Sequence, residues 1–395
     1  MRFFNACHRS MRSMCFFLLS LLVFMTCATF VIYQQDIYLT ARRSFYVYEF
    51  PNKDVPYPTL FLANKKRMCV PDATVTVQSG GRLGNLIMEY ASTWSVAKIY
   101  NLTAFVPLDI LHRLQDVFQP LSIPSIRLFL KKSTSCPPGK IWGKTAKEIV
   151  GTMKKIDMKQ APLHSIVEMA RNRHKLIVLE LCVIMVETIV PLAQELREEF
   201  KYKSKLQEAA QKSLRQFRDK LMKGNKNSDE QVIFVGVHVR RTDYKDQIKL
   251  LYNATEEAGV VYYQRAVSWM RSTLSEEANG RAVNIAFIVT SDDPTWCQET
   301  LIPALSGPSD DSLGQFEVYW GGQGDITTPE QDLSLLSACN HSIISYGTYG
   351  IWAALMAGGH TVVYDITGSE GNRHVHGYTP AMQFARNMEG WIALW

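Results

Sequence analysis

The sequence lacks several features that would each point to a special class of protein. Eight cysteines in 395 residues are too few for a small fold held together by disulfide bonds. With 23 glycines and 16 prolines, the chain is neither a collagen nor a low-complexity linker. Hydrophobic residues make up 47% of the chain and charged residues 20%, which excludes a mainly disordered protein. The length favours two to three globular domains.

Most of the chain carries almost no excess of positive charge. The formal net charge is +6, and residues 1–45 contribute +4 of it, from five arginines and one aspartate. The remaining residues carry 38 basic and 36 acidic side chains. A nucleic-acid-binding protein places its basic surplus on the folded part. We therefore expect no nucleic-acid partner, and the N-terminal arginines point to a membrane instead.

One stretch alone, residues 14–33, is long and uncharged enough to cross a bilayer. At about 1.5 Å per residue, a helix of this length spans a hydrocarbon core of about 30 Å. Three arginines precede the run, and the positive-inside rule then keeps the N-terminus in the cytoplasm. We predict a single-pass type II membrane protein, with residues 1–13 as a cytoplasmic tail and residues 34–72 as a luminal stem.

A cleaved signal peptide is the alternative interpretation of the same run. Thr26-Cys27-Ala28 is a tolerable cleavage site. The anchor is favoured because the apolar run continues five residues beyond Ala28, past the ~7–15 residues of a typical signal-peptide core. Both interpretations place the globular part in the secretory pathway.

Glycosylation motifs agree with a luminal location. Asn101-Leu-Thr and Asn253-Ala-Thr are acceptor patterns for N-linked glycans, and we predict both as sites. Asn340-His-Ser is a third pattern, but it adjoins an apolar run and we expect it to be buried.

Five cysteines follow the predicted anchor. They are Cys69, Cys136, Cys182, Cys297 and Cys339. In an oxidising lumen some of them should pair, and because five is odd at least one is free or bonds another chain. The sequence does not fix the pairing. None has the paired short spacing of a zinc site.

The first half of the globular part begins like a βαβ unit. A predicted strand at 73–78 is followed by a glycine turn at 79–85, a helix at 86–99 and a strand at 103–107. Residues 176–190 fit either a strand or a helix. Farther along, apolar residues recur at the helical period over 192–222, which predicts a single helix there.

The second half alternates more clearly between strands and helices. We predict buried strands at 232–239 and 284–290 and shorter ones near 316, 342 and 361, with helices between them. Such alternation predicts a parallel doubly wound sheet. Because residues 225–231 are polar, we place a domain boundary there. The predicted fold is α/β, with an N-terminal domain at 73–228 and a C-terminal Rossmann-like domain at 229–395.

The strongest candidate site follows the buried strand at 232–239. His238, Arg240, Arg241 and Asp243 lie at its carboxyl end, where ligands of such sheets bind. Two adjacent guanidiniums can bind a diphosphate bidentately, and His238 shares the face of Arg240. A surface ion pair with a packed histidine is the plainer interpretation. Four polar groups at one strand end favour a site.

The motif His238-Val-Arg240-Arg241-Thr-Asp243 resembles the donor motif of the fucosyltransferases that form α-1,2, α-1,6 and protein O-linkages. Two further stretches narrow the resemblance to the α-1,2-fucosyltransferases that act on β-galactosides. They are the segment 81–91, which begins Gly-Arg-Leu-Gly-Asn, and the segment 332–359, which contains Ser-Tyr-Gly-Thr-Tyr-Gly. The resemblance covers residues 78–363, nearly all of the globular part.

This resemblance implies a fold, a donor and a set of roles. It implies two Rossmann-like domains of the glycosyltransferase-B type, with the acceptor on the side of the N-terminal domain and a GDP-β-L-fucose donor on the C-terminal domain, a β-galactoside acceptor and inversion to an α-fucoside. From the uncharged run at 14–33 and the arginines before it, we expect a Golgi location. Arg240 would bind the diphosphate, and Asp332 would face the guanine. His238 and Asp243 would shape the donor site, and Ser345 and Thr348 would offer hydroxyls near the phosphate.

Two positions of the glycine turn complete the expected donor site. At Gly81, the absence of a side chain lets backbone N–H groups approach an anion ahead of a helix N-terminus, and Asn85 closes the turn. A plain turn explains these residues equally well. The family usually has glutamine at the next position, where this chain has Leu86, so a polar contact is lost there.

We expect transfer without a metal. Cation-dependent sugar transferases usually carry Asp-x-Asp at a strand end, and the sequence has no such triplet. Asp292-Asp293 is the nearest candidate, and an N-terminal helix cap is its expected role. The two arginines supply the charge that a metal would. Arg240 and Asp243 are the predicted catalytic residues, Asp243 as the base, with Glu89 as the alternative base.

Three rival functions remain open at this stage. The acceptor could be a protein hydroxyl or the chitobiose core of a glycan, although the segment 347–350 argues against that. A non-catalytic luminal glycan-binding protein on the same fold is disfavoured by the intact Arg240, Asp243 and Asp332. A luminal phosphatase using His238 lacks an obvious phosphate-loop nucleophile.

Overall fold

The computed structural model describes residues 74–125, 164, 167–168, 176–223, 231–279, 281, 283–306, 314–322 and 328–395. All of them belong to one compact unit, Ala63–Trp395. The predicted cytoplasmic tail, membrane anchor and stem lie outside the described residues. Among the described helices, none is both long and apolar enough to span a membrane.

A small parallel sheet begins the described fold. Its strands are β1 (Thr74–Val77), β2 (Thr103–Ala104) and β3 (Leu176–Leu179), and β1 lies between the other two. Helix α1 (Leu83–Tyr100) connects β1 to β2, as predicted from the glycine turn. The uncertain stretch 176–190 contains both a strand, β3, and a helix, α3 (Val186–Ile189).

The second sheet has six strands, and every neighbouring pair is parallel. The strands are β4 (Val232–Val239), β5 (Asn284–Ser291), β6 (Phe316–Trp320), β7 (His341–Ile344), β8 (Thr361–Tyr364) and β9 (Trp391–Leu394). Their order is β6-β5-β4-β7-β8-β9. Counted from the first strand this is 3-2-1-4-5-6, the order of the dinucleotide-binding Rossmann sheet. The predicted parallel α/β sheet is confirmed.

Helices cover these sheets and bury one continuous apolar core that includes Val75, Val235 and Ile343. The remaining described helices are α2 (Leu108–Leu114), α4 (Ala193–Glu199), α5 (Ser204–Leu221), α6 (Tyr244–Tyr252), α7 (Val260–Glu277), α8 (Pro294–Trp296), α9 (Ile302–Leu305), α10 (Pro329–Ser337), α11 (Thr348–Ala357) and α12 (Pro380–Asn387). A π-helical turn, Cys297–Leu301, joins α8 to α9. The helix expected between the strands at 284–290 and 316 is therefore present, with one widened turn.

The single helix predicted over 192–222 is wrong. The chain forms α4 and α5 instead and breaks between them. Phe200 leaves helical geometry (φ −98°, ψ 54°) and is fully buried, where its ring lies 4.4 Å from that of Trp352 and 5.0 Å from that of Phe118. Burying this ring in an aromatic cluster stabilises the break. A periodicity count cannot detect it, because Phe200 fits the helical stripe.

Candidate active site

The carboxyl ends of three neighbouring strands meet at the point where the strand order reverses. Because β4 pairs with both β5 and β7, the residues that follow these strands come together. The backbone N–H of Arg240 donates to Ser345 Oγ at 3.2 Å, and the N–H of Arg241 donates to Asp292 Oδ1 at 2.9 Å. In open parallel sheets this reversal point is where ligands bind.

Arg240 presents its guanidinium at this point, held between two carboxylates. Nη1 donates to Asp292 Oδ2, and Nη2 donates to Asp243 Oδ1. The side chain is 15% exposed, and burial lowers the pKa of Arg240 from its ordinary value, against the opposing effect of the Asp243 charge. A partly desolvated guanidinium binds an anion more strongly than one in water, because fewer water contacts must be replaced.

Arg241 faces a different set of partners. Its Nε lies 3.3 Å from Asp293 Oδ2 and its Nη2 lies 3.0 Å from Glu257 Oε1. The guanidinium stacks over the Trp296 ring, 3.9 Å from the ring centroid. The two adjacent arginines thus have separate partners, and the donors of Arg241 are largely taken by the protein itself.

Asp292 is a site residue that sequence reasoning missed. It accepts from the Arg240 side chain, from the Arg241 backbone and from the Thr242 hydroxyl. The helix-cap role expected for the Asp292-Asp293 pair belongs to Asp293, whose Oδ1 accepts from the backbone N–H of Trp296 at 3.1 Å. The signal for Asp292 is its position directly after β5, the neighbour of β4.

His238 is buried beneath the site. The residue is 6% exposed, and burial together with the nearby Arg240 charge lowers the pKa of His238 to about 3. The imidazole is therefore neutral at physiological pH. Its ring lies 4.9 Å from the ring of Tyr349, and a side chain at Gly350 would come within 2.7 Å of its Nδ1. His238 shapes the floor of the site by packing.

The glycine turn meets the start of α11 directly. A Cβ at Gly84 would lie 2.5 Å from the backbone nitrogen of Tyr349, so only glycine permits this approach. Thr348 Oγ1 donates to Asn85 Oδ1 at 2.7 Å. Gly81 adopts a positive φ of 84°, which glycine adopts without strain. The two glycine motifs of the sequence therefore pack against each other beside Ser345.

A salt bridge joins the glycine turn to the strand ends. Arg82 Nη2 lies 3.0 Å from Asp243 Oδ2, while the other oxygen of Asp243 binds Arg240. Asp243 therefore lies between two guanidiniums, and 45% of its side chain is exposed. The backbone and ion-pair contacts connect Gly81, Asn85, Thr348, Ser345, Arg240, Arg241 and Asp243 into one continuous site.

Asp332 lies on a neighbouring cleft. Residues of α5 and α10 line this cleft together with Gly321; among them are Ala209, Ser213, Gln331 and Asp332. Tyr349, which follows Thr348, contacts the start of α10: its hydroxyl donates to the Pro329 carbonyl at 2.5 Å. Burial raises the pKa of Tyr349, and the Asp332 charge raises it further.

Glu89 is fully buried behind the glycine turn. Both of its carboxylate oxygens lie 3.2 Å from the backbone nitrogen of Gly80, and Oε1 also accepts from the N–H of Cys182 at 2.9 Å. Burial raises the pKa of Glu89 to about 8, against the opposing effect of these N–H donors. Leu86, at the position where the family usually has glutamine, is 6% exposed and lies in the apolar core.

The described residues include no group of three or more His, Cys, Asp and Glu side chains able to hold a metal. Metal-independent transfer stays a prediction. Asn101 and Asn253, the predicted glycosylation sites, are both exposed. Asn340, expected to be buried, is also exposed, so that expectation is wrong; its Oδ1 accepts from the backbone N–H of Phe234 at 2.9 Å.

The described cysteines are unpaired. Cys182 is exposed, whereas Cys297 and Cys339 are buried, and all three are free thiols. Cys69 and Cys136 lie outside the described residues. Cys182 has a positive φ of 57°, and its sulfur accepts from Asn85 Nδ2 at 3.3 Å.

Together, an open parallel sheet with the dinucleotide-binding strand order and a guanidinium at its reversal point define a protein of the nucleotide-binding α/β class. Comparison with known proteins identifies the family. The family model described as "Glycosyl transferase family 11" matches residues 188–379. Galactoside alpha-(1,2)-fucosyltransferase 2 of Pongo pygmaeus is 30% identical over 294 residues, which cover 73% of this chain and 70% of the relative.

Two further comparisons differ in how much of the chain they cover and in sequence identity. Galactoside alpha-(1,2)-fucosyltransferase 1 of Aotus azarae is 35% identical over 171 residues, covering 43% of this chain and 40% of the relative. A solved structure of a variant of Arabidopsis thaliana FUT1 in complex with GDP covers 74% of this chain and 70% of its own, at 14% identity and a TM-score of 0.43.

The chain belongs to the galactoside α-1,2-fucosyltransferase family. The resemblance noted from the motifs is confirmed by the sequence matches, on which this assignment rests.

Proposed function

We propose that the protein transfers L-fucose from GDP-β-L-fucose to O2 of a terminal β-galactoside, with inversion, to form an α-1,2-fucosyl linkage. The observation that carries the proposal is Arg240, a partly buried guanidinium at the reversal point of the six-stranded sheet. Family membership supplies the reaction class, and the relatives, named as galactoside alpha-(1,2)-fucosyltransferases, suggest the galactoside acceptor and the linkage.

The proposed mechanism uses the charge of Arg240 on the leaving group. A galactose hydroxyl attacks the anomeric carbon of fucose from the face opposite GDP, and the bond to the β-phosphate breaks. Negative charge grows on that phosphate, and the guanidinium stabilises it more in the transition state than in the ground state. Asp243 and Asp292 orient the guanidinium before the donor arrives, so little reorganisation is needed.

We propose Asp243 as the base, and its surroundings provide one argument for this role and one against it. Its exposed side chain is accessible to an acceptor hydroxyl. Its two guanidinium partners, Arg82 and Arg240, each occupy one of its oxygens, which the acceptor hydroxyl would have to share. A diphosphate is a good leaving group and needs limited assistance from a base.

The donor and acceptor are assigned to opposite sides of the site, as in a two-domain glycosyltransferase-B architecture. We place the GDP moiety on the six-stranded sheet, with the guanine at the cleft of Asp332 and the phosphates near Arg240, Ser345 and Thr348. The acceptor faces the three-stranded sheet. No metal is assigned to the reaction.

The test is transfer from GDP-fucose to a panel of acceptors by the full-length chain in detergent. The panel contains free β-galactosides, a chitobiose-core glycopeptide and a serine or threonine peptide. A product from the galactosides that an α-1,2-specific fucosidase cleaves supports the proposal. Transfer to the peptide or the chitobiose core alone changes the acceptor, and GDP-fucose that is bound but neither hydrolysed nor transferred indicates a non-catalytic binding protein.

We also propose that the protein is a single-pass type II protein of the Golgi membrane with the site in the lumen. The uncharged run at 14–33, the arginines before it and the exposed glycosylation motifs support this. Protease treatment of sealed microsomes tests it. A C-terminal epitope that is digested without detergent contradicts the proposed topology.

A further inference from the structure

One buried carboxylate connects two segments that are far apart in the sequence. Gly80 follows β1 and Cys182 follows β3, and these strands are parallel neighbours. Glu89 points from the second turn of α1 back towards the helix N-terminus, as helical side chains do. It accepts the backbone N–H groups of both Gly80 and Cys182. This one side chain therefore links the segments that follow β1 and β3, beside the contact of Leu181 with Gly80 and the hydrogen bond from Asn85 Nδ2 to Cys182 Sγ.

The two segments form the edge of the site opposite the arginines. The glycine turn carries Arg82, which binds Asp243, and Asn85, which binds Thr348. The other segment carries Leu181, which is 48% exposed. Leu181 packs on Gly80, because a Cβ added there would lie 2.3 Å from Leu181 Cδ1. A shift of either segment would move a charged or an apolar group that borders the site.

Glu89 itself cannot reach a substrate. Its side chain is fully buried, and both oxygens face backbone donors. A general base must come within hydrogen-bond distance of the proton it removes. The sequence alone allows Glu89 as an alternative base. Its buried position does not fit that role.

We propose that Glu89 is a positioning residue that fixes the acceptor-facing edge of the site by binding the backbone N–H groups of Gly80 and Cys182. The acceptor is the galactoside of the proposed function, on which this inference rests. The donor is held by the six-stranded sheet, which Glu89 does not contact in any described hydrogen bond. Loss of the carboxylate should therefore change the KM for the acceptor more than the KM for GDP-fucose.

Glu89→Asp and Glu89→Gln separate the length of the side chain from its charge. Glu89→Asp keeps the charge but is one methylene too short to reach both N–H groups. Above about pH 8, where the Glu89 carboxylate is ionised, we expect Glu89→Asp to raise the acceptor KM about tenfold, the value of one charge-assisted hydrogen bond, with the GDP-fucose KM within about twofold. The exposed Glu187 offers the matched control, Glu187→Gln, which should change neither constant.

A second measurement does not depend on fucose transfer. Cys182 is an exposed thiol in the segment that Glu89 holds. Its alkylation by iodoacetamide, followed on its own peptide by mass spectrometry, reports the freedom of that segment. Cys182 should be alkylated several-fold faster in Glu89→Asp than in the Glu187→Gln control. If the wild type transfers no fucose, the proposed function fails, while these rates still decide whether Glu89 holds the segment.

The pH profile gives a third measurement, through Glu89→Gln. The titratable groups near Glu89 are Asp109, whose charge raises the pKa of Glu89, and Cys182, whose pKa is raised by burial and by Glu89. Because burial raises the pKa of Glu89 to about 8, the carboxylate that binds the N–H groups forms as the pH rises through that value. The wild-type acceptor KM should fall over this range, and that of Glu89→Gln should stay flat.

Several outcomes overturn the proposal. Acceptor KM values and alkylation rates like those of the Glu187→Gln control exclude a positioning role. A thousandfold loss of kcat in Glu89→Gln that formate restores assigns Glu89 as the base instead. Should both Glu89 variants fail to fold, Leu181→Ala leaves the carboxylate and its hydrogen bonds in place. An unchanged acceptor KM in Leu181→Ala then rejects this edge as the acceptor surface.

Discussion

The two sheets end in chemically different edges. The six-stranded sheet ends in charged side chains, with Arg240 and Arg241 after β4 and Asp292 and Asp293 after β5. The three-stranded sheet ends in backbone N–H groups, gathered by the single buried carboxylate of Glu89. The first edge offers side-chain donors to an anion, whereas the second fixes the shape of a surface. The difference matches a charged donor on one side and a neutral sugar on the other.

The contrast between neighbouring arginines is as sharp as that between the sheets. Arg240 faces the reversal point and is held by Asp243 and Asp292. Arg241 stacks on Trp296 and pairs with Asp293 and Glu257. Residues adjacent along an extended chain point to opposite sides, so Arg240 faces the reversal point, where ligands of such sheets bind, and Arg241 packs on Trp296. Each of the following experiments tests this division.

Arg240→Lys should have the largest effect. Lysine keeps the charge but loses the planar, forked donor geometry. We expect kcat to fall about 10²–10³-fold, equivalent to about 2.7–4 kcal/mol in the transition state. The measurement is kcat with saturating GDP-fucose on protein whose folding is checked by thermal unfolding. Arg218→Lys, on an exposed helix face, is the control, and near wild-type turnover in Arg240→Lys would remove Arg240 from the mechanism.

Asp292→Asn should have a smaller effect on the same group. The amide retains one oxygen acceptor but loses the charge that orients Arg240 and binds the Arg241 N–H. We expect kcat/KM for the donor to fall about tenfold to a hundredfold, because charge-assisted hydrogen bonds are about twice as strong as neutral ones. Asp219→Asn, at an exposed pair with Arg218, should be neutral. Equal activities of the two variants would show that Arg240 does not need the charge of Asp292 to orient it.

Arg241→Lys should act on stability more than on turnover. It loses the stacking on Trp296 and the pairing with Asp293 and Glu257. We expect the free energy of unfolding to fall by about 1–2 kcal/mol and kcat to remain within about threefold of wild type. Urea unfolding and steady-state kinetics measure the two quantities. A loss of kcat as large as that of Arg240→Lys would mean that both arginines bind the diphosphate.

Removal of divalent cations should have the smallest effect. If Arg240 supplies the positive charge at the phosphate, then EDTA should leave the rate unchanged. Activity that disappears in EDTA and returns with manganese contradicts this. The outcome also tests whether the guanidinium alone accounts for the charge at the six-stranded edge.

Much of the six-stranded edge could be predicted from the sequence, because its signals are local. The buried run at 232–239 and the arginines that end it are contiguous, and the strand neighbours follow the same alternation. Asp292 contacts Arg240 from 52 positions away, and it was interpreted as part of a helix cap because its neighbour Asp293 is one. The identity of adjacent strands, which brings the two together, is a property of topology and not of any local pattern.

The three-stranded edge was predicted less well, and for a related reason. The glycine turn and α1 were predicted, but Glu89 fits an apolar stripe poorly and was considered as a base. Its role is visible only once Gly80 and Cys182 are seen to meet. The break at Phe200 was missed because burial of one aromatic ring outweighs the continuity of a helix, a tertiary effect that periodicity does not record.

The hydrogen bond from Thr348 to Asn85 joins residues 263 positions apart. During synthesis, the glycine turn and the start of α1 leave the ribosome long before Thr348 is made. The same holds for Tyr349, whose backbone packs against Gly84 in the folded protein. Bringing such distant segments together carries a loop-closure entropy and slows folding. The site is therefore among the last parts of the chain to form. A chain that ends before α11 lacks Thr348 and Tyr349 and therefore has no site.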